Sequence, residues 1–308
     1  MALERELWID DIQPNLFQGI EFATYSKDHS SYIYNKTVHI PQAGSIPNVV
    51  KSRTVLPAPI GSRTDTELTY QILDYSTDPI VVSDLETMQI SYDKRQEIMG
   101  EHISKLKDRI GRQVAFDWAV SGASDAARII RTTGAAGTTL APGATGTRKK
   151  LTKQDLSNLK LVFDRDLVPQ DERYILMDHG MYLELLELDA FTSSFFVGQV
   201  VLPNAVINKL YGFNILTYSF PIIYDNAATP VKKTLIDNTG FPVAAATDNL
   251  ACIAWSKYSV SRALGPIDVF MNPRLAEYYG DLMSALVFFG STILRSDKKG
   301  VGAIVQAP

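Results

Sequence analysis

Residues 91–121, SYDKRQEIMGEHISKLKDRIGRQVAFDWAVS, form the stretch that decides the fold. Apolar side chains recur there in steps of three or four residues, which places them on one stripe of a helix. The stripe comprises Met99, Ile103, Leu106, Ile110, Val114 and Trp118. At about 1.5 Å per residue such a helix would span about 45 Å, which suits a scaffold better than the wall of an active site.

Signals at both ends mark the boundaries of this helix. Ser91 or Asp93 can supply the N-cap, and Gly122 is placed to end the helix in a left-handed conformation. Gly100 and Gly111 lie in its interior, where each costs about 1 kcal/mol relative to alanine. We therefore expect a bend or a close backbone contact at these glycines, with two shorter helices broken at Gly111 as the alternative.

The composition excludes several classes of protein. The chain has 308 residues, 45% of them hydrophobic and 21% charged, as in an ordinary globular protein with a substantial core. Its net charge of −4 argues against general polyanion binding, and its single cysteine, Cys252, excludes an internal disulfide. Neither a signal peptide nor a membrane-spanning run is present, so we expect a protein made and used in a cytoplasm.

The N-terminal quarter resembles an arm followed by a long hairpin. Residues 1–30 mix short apolar clusters with Pro14, Gly19 and charges, without a core of their own. Two β-rich segments, Tyr32–Ile40 and Thr66–Val82, flank a stretch rich in proline and glycine. Residues 31–83 therefore predict a hairpin with an irregular tip. Because a two-stranded hairpin is marginal alone, we expect it to lie on another surface, most economically another subunit.

The remaining sequence predicts a mixed α and β region, and the fold class is α+β. Residues 122–150 are rich in glycine, alanine and threonine and predict a loop. Thr152 with Asp155 predicts a capped helix over 153–167. Further elements follow: a strand at Tyr174–Met177, a helix opened by Asp178, short strands between Phe195 and Tyr224 with a turn at Tyr211–Gly212, a strand at 250–260, and two closing strands at 282–296 and 300–307.

No motif of catalysis or cofactor binding is present. Neither GxxxxGK[ST] nor GxGxxG occurs, and no GxSxG elbow is found. The four histidines are scattered, and Cys252 lies in an apolar strand, where a thiol is usually buried filler. We therefore assign no catalytic, cofactor-binding or metal residue. An enzyme remains open only through residues that the fold brings together.

The order of these parts resembles that of the major capsid proteins of tailed bacteriophages, the Hong Kong 97-type fold. The resemblance covers nearly the whole chain and rests on the hairpin leading into the long helix and on four later segments. These are ERYILMDHGMYLELLEL (172–188), VLPNAVINKLYGFNILTYSFP (201–221), YYGDLMSALVFFGSTILR (278–295) and GVGAIVQA (300–307).

The resemblance implies a division of the chain into family domains. These are an N-terminal arm (1–30), an extended hairpin or E-loop (31–83), a peripheral domain (84–170) with a spine helix at 91–121 and a second helix at 153–167, an axial domain (171–270), and strands returning to both domains (271–308). Because the arm begins almost at Met1, a scaffolding region would be a separate protein or would already have been cleaved.

The resemblance also implies a function without catalysis, cofactor or membrane. Hexamers and pentamers would form an icosahedral shell that encloses double-stranded DNA without sequence-specific binding. The implied partners are further copies of the chain, a portal and scaffolding or decoration proteins, in a virion assembled in a bacterial cytoplasm. An encapsulin-like nanocompartment shell is the nearer alternative, and an α/β enzyme is the remote one.

Five charged residues are the candidates for contacts between subunits. Lys51, Arg53 and Arg63 place three cations on the hairpin tip, and Glu97 and Glu101 lie one turn apart on the long helix. In the family the tip reaches over a neighbouring subunit, which implies that these cations meet acidic groups there. Purely solvated tip charges are the alternative. Some relatives crosslink through a hairpin lysine, for which Lys51 would be the position, but no partner residues are identifiable.

Overall fold

The computed structural model describes residues 20–42, 49–54, 56, 66–83, 94–188, 209–220, 222–237 and 239–308. The α-helices in these ranges are α1 (Lys94–Trp118), α2 (Lys153–Arg165) and α3 (His179–Leu186). The strands are β1 (Lys27–Asp28), β2 (Ile33–Tyr34), β3 (Thr37–Gln42), β4 (Thr66–Gln71), β5 (Leu73–Ser76), β6 (Ile80–Ser83), β7 (Ile129–Arg131), β8 (Ala136–Gly137), β9 (Arg148–Lys149), β10 (Arg173–Met177), β11 (Lys209–Leu210), β12 (Phe213–Thr217), β13 (Ile222–Tyr224), β14 (Asn249–Ser256), β15 (Val260–Leu275), β16 (Gly280–Ile293) and β17 (Val301–Val305). None of these helices is long and apolar enough to cross a membrane.

Within the described ranges the strands form two large sheets and two small ones. In the five-stranded sheet β15 and β16 form a long antiparallel pair, with β1 on β15 and both β5 and β6 on β16. The seven-stranded sheet has the order β11-β12-β10-β14-β17-β7, with β13 also paired to β14. A three-stranded sheet contains β2, β3 and β4, and β8 pairs with β9. The α+β class is confirmed.

The long helix α1 is a single helix that runs through Gly111, so the alternative of two broken helices is wrong. Its stripe is buried as predicted at Ile103, Leu106, Ile110, Val114 and Trp118. The stripe packs into one core with residues of both large sheets. The predicted caps and the Met99 side chain lie outside the described residues.

The helix ends at Trp118, three residues earlier than predicted. At this end Lys232 Nζ, distant in sequence, donates hydrogen bonds to the carbonyl oxygens of Phe116 (2.7 Å) and Ala119 (3.0 Å). Those carbonyls are among the groups that a helix C-terminus leaves unsatisfied. Gly122 has the expected positive φ (78°), but it precedes a short 3₁₀-helix rather than ending α1.

The two interior glycines of α1 have different surroundings. A Cβ added at Gly111 would overlap the Tyr218 hydroxyl and would lie 2.7 Å from Ile20 Cγ2. A Cβ at Gly100 would meet nothing within 4 Å. The predicted close contact is thus confirmed at Gly111 and is wrong for Gly100.

The predicted hairpin is present, but its strands are shorter than expected. β3 and β4 pair in antiparallel register from Thr37 with Gln71 to Gln42 with Thr66. A tight turn breaks the first predicted strand, because Asn35 and Lys36 both have positive φ. β5 and β6 leave the hairpin and pair with β16. The Asn-Lys pair lacks the glycine that usually signals such a turn.

The base of this hairpin packs on its own chain. Val38 and Ile72 form a small buried cluster with Ala263 of β15. The Gln42 side chain donates a hydrogen bond to the Leu294 carbonyl oxygen. The apolar face of the hairpin base thus has an intramolecular partner, and the contact of the hairpin with another subunit stays a prediction.

The second helix and the next elements agree with the sequence. Thr152 and Asp155 form the predicted capping box, and Leu156, Leu159 and Phe163 are buried. Leu167 is the exception, since α2 ends at Arg165 and the Leu167 side chain is 89% exposed. The strand β10, the N-cap of α3 at Asp178 and the turn between β11 and β12 are also as predicted.

The predicted loop at 122–150 contains regular structure. A 3₁₀-helix spans Ala123–Arg128, β7 pairs parallel with β17, and β8 pairs with β9. Each element is too short to produce a hydrophobic period, which is why composition alone indicated a loop.

The last four strands carry the chain between the two large sheets. β14 and β17 lie in the seven-stranded sheet, whereas β15 and β16 lie in the five-stranded sheet. The single strand predicted at 250–260 ends at Ser256, and the chain turns before β15 begins. The expected domain boundary at 270/271 falls inside β15.

Candidate assembly surfaces

The described part of the hairpin tip is exposed and amphiphilic. Val49 is 91% exposed and Leu56 is 79% exposed. Lys51 and Arg53 are also exposed and flank Ser52, which has positive φ. Large apolar side chains in full contact with water mark a surface that a partner can bury. Arg63 lies outside the described residues.

The acidic candidates are on a different element. Glu101 is exposed on α1, and Glu97 lies in the same helix, although its side chain is outside the described residues. Among the described residues no ion pair joins Lys51 or Arg53 to Glu101 within one chain. Lys51, Arg53 and Glu101 are all exposed, and a contact between them across subunits stays a prediction.

An aromatic cluster lies where α1 meets both large sheets. The Phe22 ring centroid is 4.9 Å from that of Tyr218, 6.2 Å from Trp118 and 6.4 Å from Trp255. The two indole groups donate to backbone oxygens, Trp118 Nε1 to Ser261 (3.3 Å) and Trp255 Nε1 to Tyr25 (2.9 Å). Such buried aromatic pairs stabilise a core beyond the area they bury. This cluster holds the helix against the sheets.

A half-buried polar chain connects the end of α1 to β16. The Asp117 carboxylate accepts hydrogen bonds from Ser291 Oγ (2.7 Å) and Gln113 Nε2 (2.8 Å), and Gln113 Oε1 accepts one from Arg109 (3.0 Å). Burial raises the pKa of Asp117, and these hydrogen bonds oppose that shift only in part. Burial likewise lowers the pKa of Lys232, which caps the helix nearby.

A second arginine of α1 fixes a turn between β13 and β14. The Arg112 guanidinium lies 3.8 Å from the Phe220 ring centroid and 4.0 Å from that of Phe241. Arg112 Nη1 also donates to the Thr239 carbonyl oxygen. The two rings are themselves in contact, with centroids 5.7 Å apart, and the guanidinium lies against both of them, so it gains cation–π attraction from each. The turn is therefore fixed to the polar face of α1.

The described residues contain no candidate metal site. No group of three His, Cys, Asp or Glu side chains within them can hold a metal ion. Cys252 is fully buried, as predicted, and burial raises the pKa of its thiol. His102 is buried on α1, and burial lowers the pKa of its imidazole. His39 lies in the hairpin beside Glu67, far along the chain from His102.

Sequence reasoning found the exposed charges of the tip but missed the half-buried charged residues that make these contacts. Asp117 and Arg112 belong to the long helix, where the pattern places them on its polar face. Lys232 lies in a polar turn region with no periodicity. The only sequence feature that points to a contact of Asp117 with the core is its position directly before the stripe residue Trp118.

The fold is that of phage capsid structures, as the sequence predicts. Cyanophage P-SCSP1u has a capsid structure with a TM-score of 0.62 and 18% identity, covering 91% of this chain and 85% of that one. The mature capsid of bacteriophage PhiM1 has a TM-score of 0.60 and 12% identity, and the match covers 92% of this chain and 86% of that one. A virus-like particle from Pyrococcus furiosus has a TM-score of 0.53 and 10% identity, and the match covers 98% of both chains. No protein-family profile and no curated protein matches the sequence.

Proposed function

We propose that the chain is the major capsid protein of a tailed phage. The observation that carries the proposal is the likeness to phage capsid structures across about nine tenths of this chain and of theirs. The amphiphilic tip supports it, because exposed Val49 and Leu56 would be a liability on a protein that stays monomeric. The role is structural, and the protein acts without catalysis.

In this proposal the chain forms hexamers and pentamers of an icosahedral shell around double-stranded DNA. The DNA is enclosed without sequence-specific contacts, in keeping with the net charge of −4. A portal and scaffolding or decoration proteins are the other partners, and the shell forms in the bacterial cytoplasm before becoming part of the virion.

The proposed domain division follows the two large sheets. The five-stranded sheet with α1 forms a peripheral domain, and the seven-stranded sheet with α3 forms an axial domain. The resemblance assigns α2 to the peripheral domain, but we assign it to the axial domain because its buried face packs on the seven-stranded sheet. Residues 1–30 form the arm. The hairpin projects from the peripheral domain, and its base is anchored by Val38 and Ile72. The strands β16 and β17 complete both domains in turn.

The tip is the proposed contact between neighbouring subunits. Lys51, Arg53 and Arg63 meet acids of the next subunit, with Glu97 and Glu101 as the first candidates. Exposed ion pairs each contribute at most about 1 kcal/mol, so their effect comes from repetition around the shell. Val49 and Leu56 add apolar burial at the same contact.

A shell that holds protein cargo is the second candidate, favoured by the likeness to the Pyrococcus furiosus virus-like particle over 98% of this chain. The contents of purified particles distinguish the two.

The test is to express the chain alone and with candidate scaffolding proteins, and to examine the products by sedimentation and negative-stain microscopy. Shells or tubes are the expected result, with packaged DNA in particles from infected cells. A chain that stays monomeric at high concentration with every scaffold would contradict the proposal. Particles that retain an enzyme and no DNA would support the second candidate instead.

A further inference from the structure

Residues 20–30, which we name the clasp, lie across the junction of the two large sheets. The chain itself crosses this junction at 257–259 and at 294–300, and it also passes from β6 of one sheet to β7 of the other by way of α1. At the crossings Ser256 N donates to the Gly300 carbonyl oxygen (2.8 Å), and Leu294 N donates to that of Ser259 (2.8 Å). The clasp is a further connection, made by side chains and by a short strand.

The first part of the clasp is buried under α1. Ile20, Phe22 and Ala23 are each less than 5% exposed. Phe22 enters the aromatic cluster, and Ile20 lies against Gly111. These contacts anchor the clasp to the helix.

The middle of the clasp is attached to the seven-stranded sheet. The Tyr25 ring stacks on Tyr174 of β10, with centroids 4.5 Å apart and an interplanar angle of 11°. The Tyr25 carbonyl oxygen accepts the hydrogen bond from Trp255 of β14. Both contacts depend on a single clasp residue.

The last part of the clasp is attached to the five-stranded sheet. Lys27 and Asp28 form β1 and pair parallel with Ser261 and Arg262 of β15. The Ser30 hydroxyl accepts a hydrogen bond from Leu264 N (2.9 Å). The remaining contacts with β15 are polar: His29 N donates to the Arg262 carbonyl oxygen (2.9 Å), and Asp28 pairs with the Arg262 side chain (3.4 Å). Because β1 has only two residues and both side chains are exposed, this attachment lacks the apolar burial that anchors the first part of the clasp.

We propose that the clasp sets the angle between the two sheets and thereby the curvature of the shell. The inference rests on the proposed shell function. Hexamers and pentamers made from one chain meet their neighbours at different angles, which requires a joint with more than one arrangement. Packed interfaces switch between discrete arrangements rather than deforming continuously. The clasp has a buried anchor under α1 and a less buried attachment to β15. If the attachment to β15 opens while the anchor stays in place, the two sheets can adopt a second angle.

The joint can be measured in the subunit before assembly. Spin labels at Leu183→Cys on α3 and Phe270→Cys on β15 report the separation of the sheets, since both native side chains are more than half exposed. Cys252 is fully buried and stays unlabelled. The distance distribution is compared in the otherwise native chain, in Tyr25→Ala and in Ser30→Ala. Phe163→Leu, in the separate core beneath α2, is the matched control for lost stability.

The expected result is a broadened or shifted distance in both clasp variants and an unchanged distance in the control. Amides at 261–264 should exchange hydrogen about tenfold faster, as for the loss of one hydrogen bond. Shells of the clasp variants should be more variable in diameter. A narrow, unchanged distance in both variants would overturn the inference, and Ser30→Ala keeps the test decisive if Tyr25→Ala does not fold. Failure of the native chain to form shells would instead contradict the proposed function.

Discussion

Gly111 of α1 lies directly against the side chain of Tyr218, so closely that a methyl group at this position would overlap the tyrosine hydroxyl. Gly100, eleven residues earlier in the same helix, has no neighbour within 4 Å of the corresponding position. The same helix thus contains one glycine with no space for a side chain, Gly111, and one with open space around it, Gly100.

Alanine substitutions at these glycines should change stability in opposite directions. Gly100→Ala should raise the free energy of unfolding by about 1 kcal/mol, because alanine favours the helix. Gly111→Ala should lower it by about 1–3 kcal/mol, because the helix or Tyr218 must shift. Urea unfolding of both variants measures the difference. Equal stabilisation by the two substitutions would show that the contact is not tight.

The buried stripe should control the folding of the subunit. Truncating Leu106 or Ile110 to alanine should cost about 2–5 kcal/mol, a large part of the stability of an ordinary domain. Soluble yield and urea unfolding provide the measurement. Leu161→Ala on α2 is the control, since that leucine is 46% exposed and its loss should have little effect. Normal yield of the stripe variants would mean that α1 does not organise the core.

Asp117 should make stability depend on pH in an unusual direction. Its pKa in the folded chain is raised above the ordinary 3.8 by burial. The buried carboxylate therefore lowers stability at pH values above the folded pKa, and this cost disappears as the pH falls towards 3.8. Asp117→Asn imitates the protonated group and should stabilise the subunit at neutral pH but not below pH 3.8. Denaturant unfolding across this pH range measures the change.

Asp297 supplies the matched control for this effect. Its pKa is lowered, mainly by the hydrogen bond from Arg295, so its contribution to stability is present above pH 3.8 and is lost as the pH falls through the folded pKa. Asp297→Asn should therefore cost stability at neutral pH. If Asp117→Asn behaved in the same way, Asp117 would be a stabilising charge, contrary to the expectation from its burial.

Charge reversal at the tip should weaken shells without affecting the fold. Arg53→Glu with Lys51→Glu should leave the melting temperature of the free subunit unchanged, because both side chains are exposed. Assembled shells should dissociate at lower salt concentration, since screening adds to the lost attraction. A compensating Glu101→Lys change should restore part of the resistance. Native shells indifferent to salt, with reversed-charge shells matching them, would leave the tip cations merely solvated.

Local signals account for what the sequence predicted well. The stripe of α1 and the capping box of Thr152 and Asp155 depend on spacings of three or four residues, which a single helix realises by itself. The close contact at Gly111 can be suspected from the sequence because glycine inside a helix is unfavourable relative to alanine. The exposed charges of the tip can be found but not their partners, because those belong to other molecules.

Long-range pairing accounts for what the sequence missed. Lys232 Nζ donates a hydrogen bond to the carbonyl oxygen of Phe116 near the end of α1. The two residues are 116 positions apart, and no local pattern indicates this contact. The assignment of β15 and β16 to one sheet and β17 to another likewise depends on partners distant in sequence. The hairpin pattern indicates that Val38 and Ile72 pack on another surface, but it does not indicate which one. Their neighbour in the same chain, Ala263 of β15, is distant in sequence and leaves no local signal.

The most direct test of the capsid function is a cryo-electron microscopy map of particles purified after expression of the native chain with its scaffold. We expect a closed shell of hexamers and pentamers in which the tip, with Lys51 and Arg53, lies on α1 of a neighbouring subunit. A shell whose tips contact only their own subunit would remove the proposed contact. Sedimentation of the chain as a stable monomer, with no particles to image, would contradict the capsid function itself.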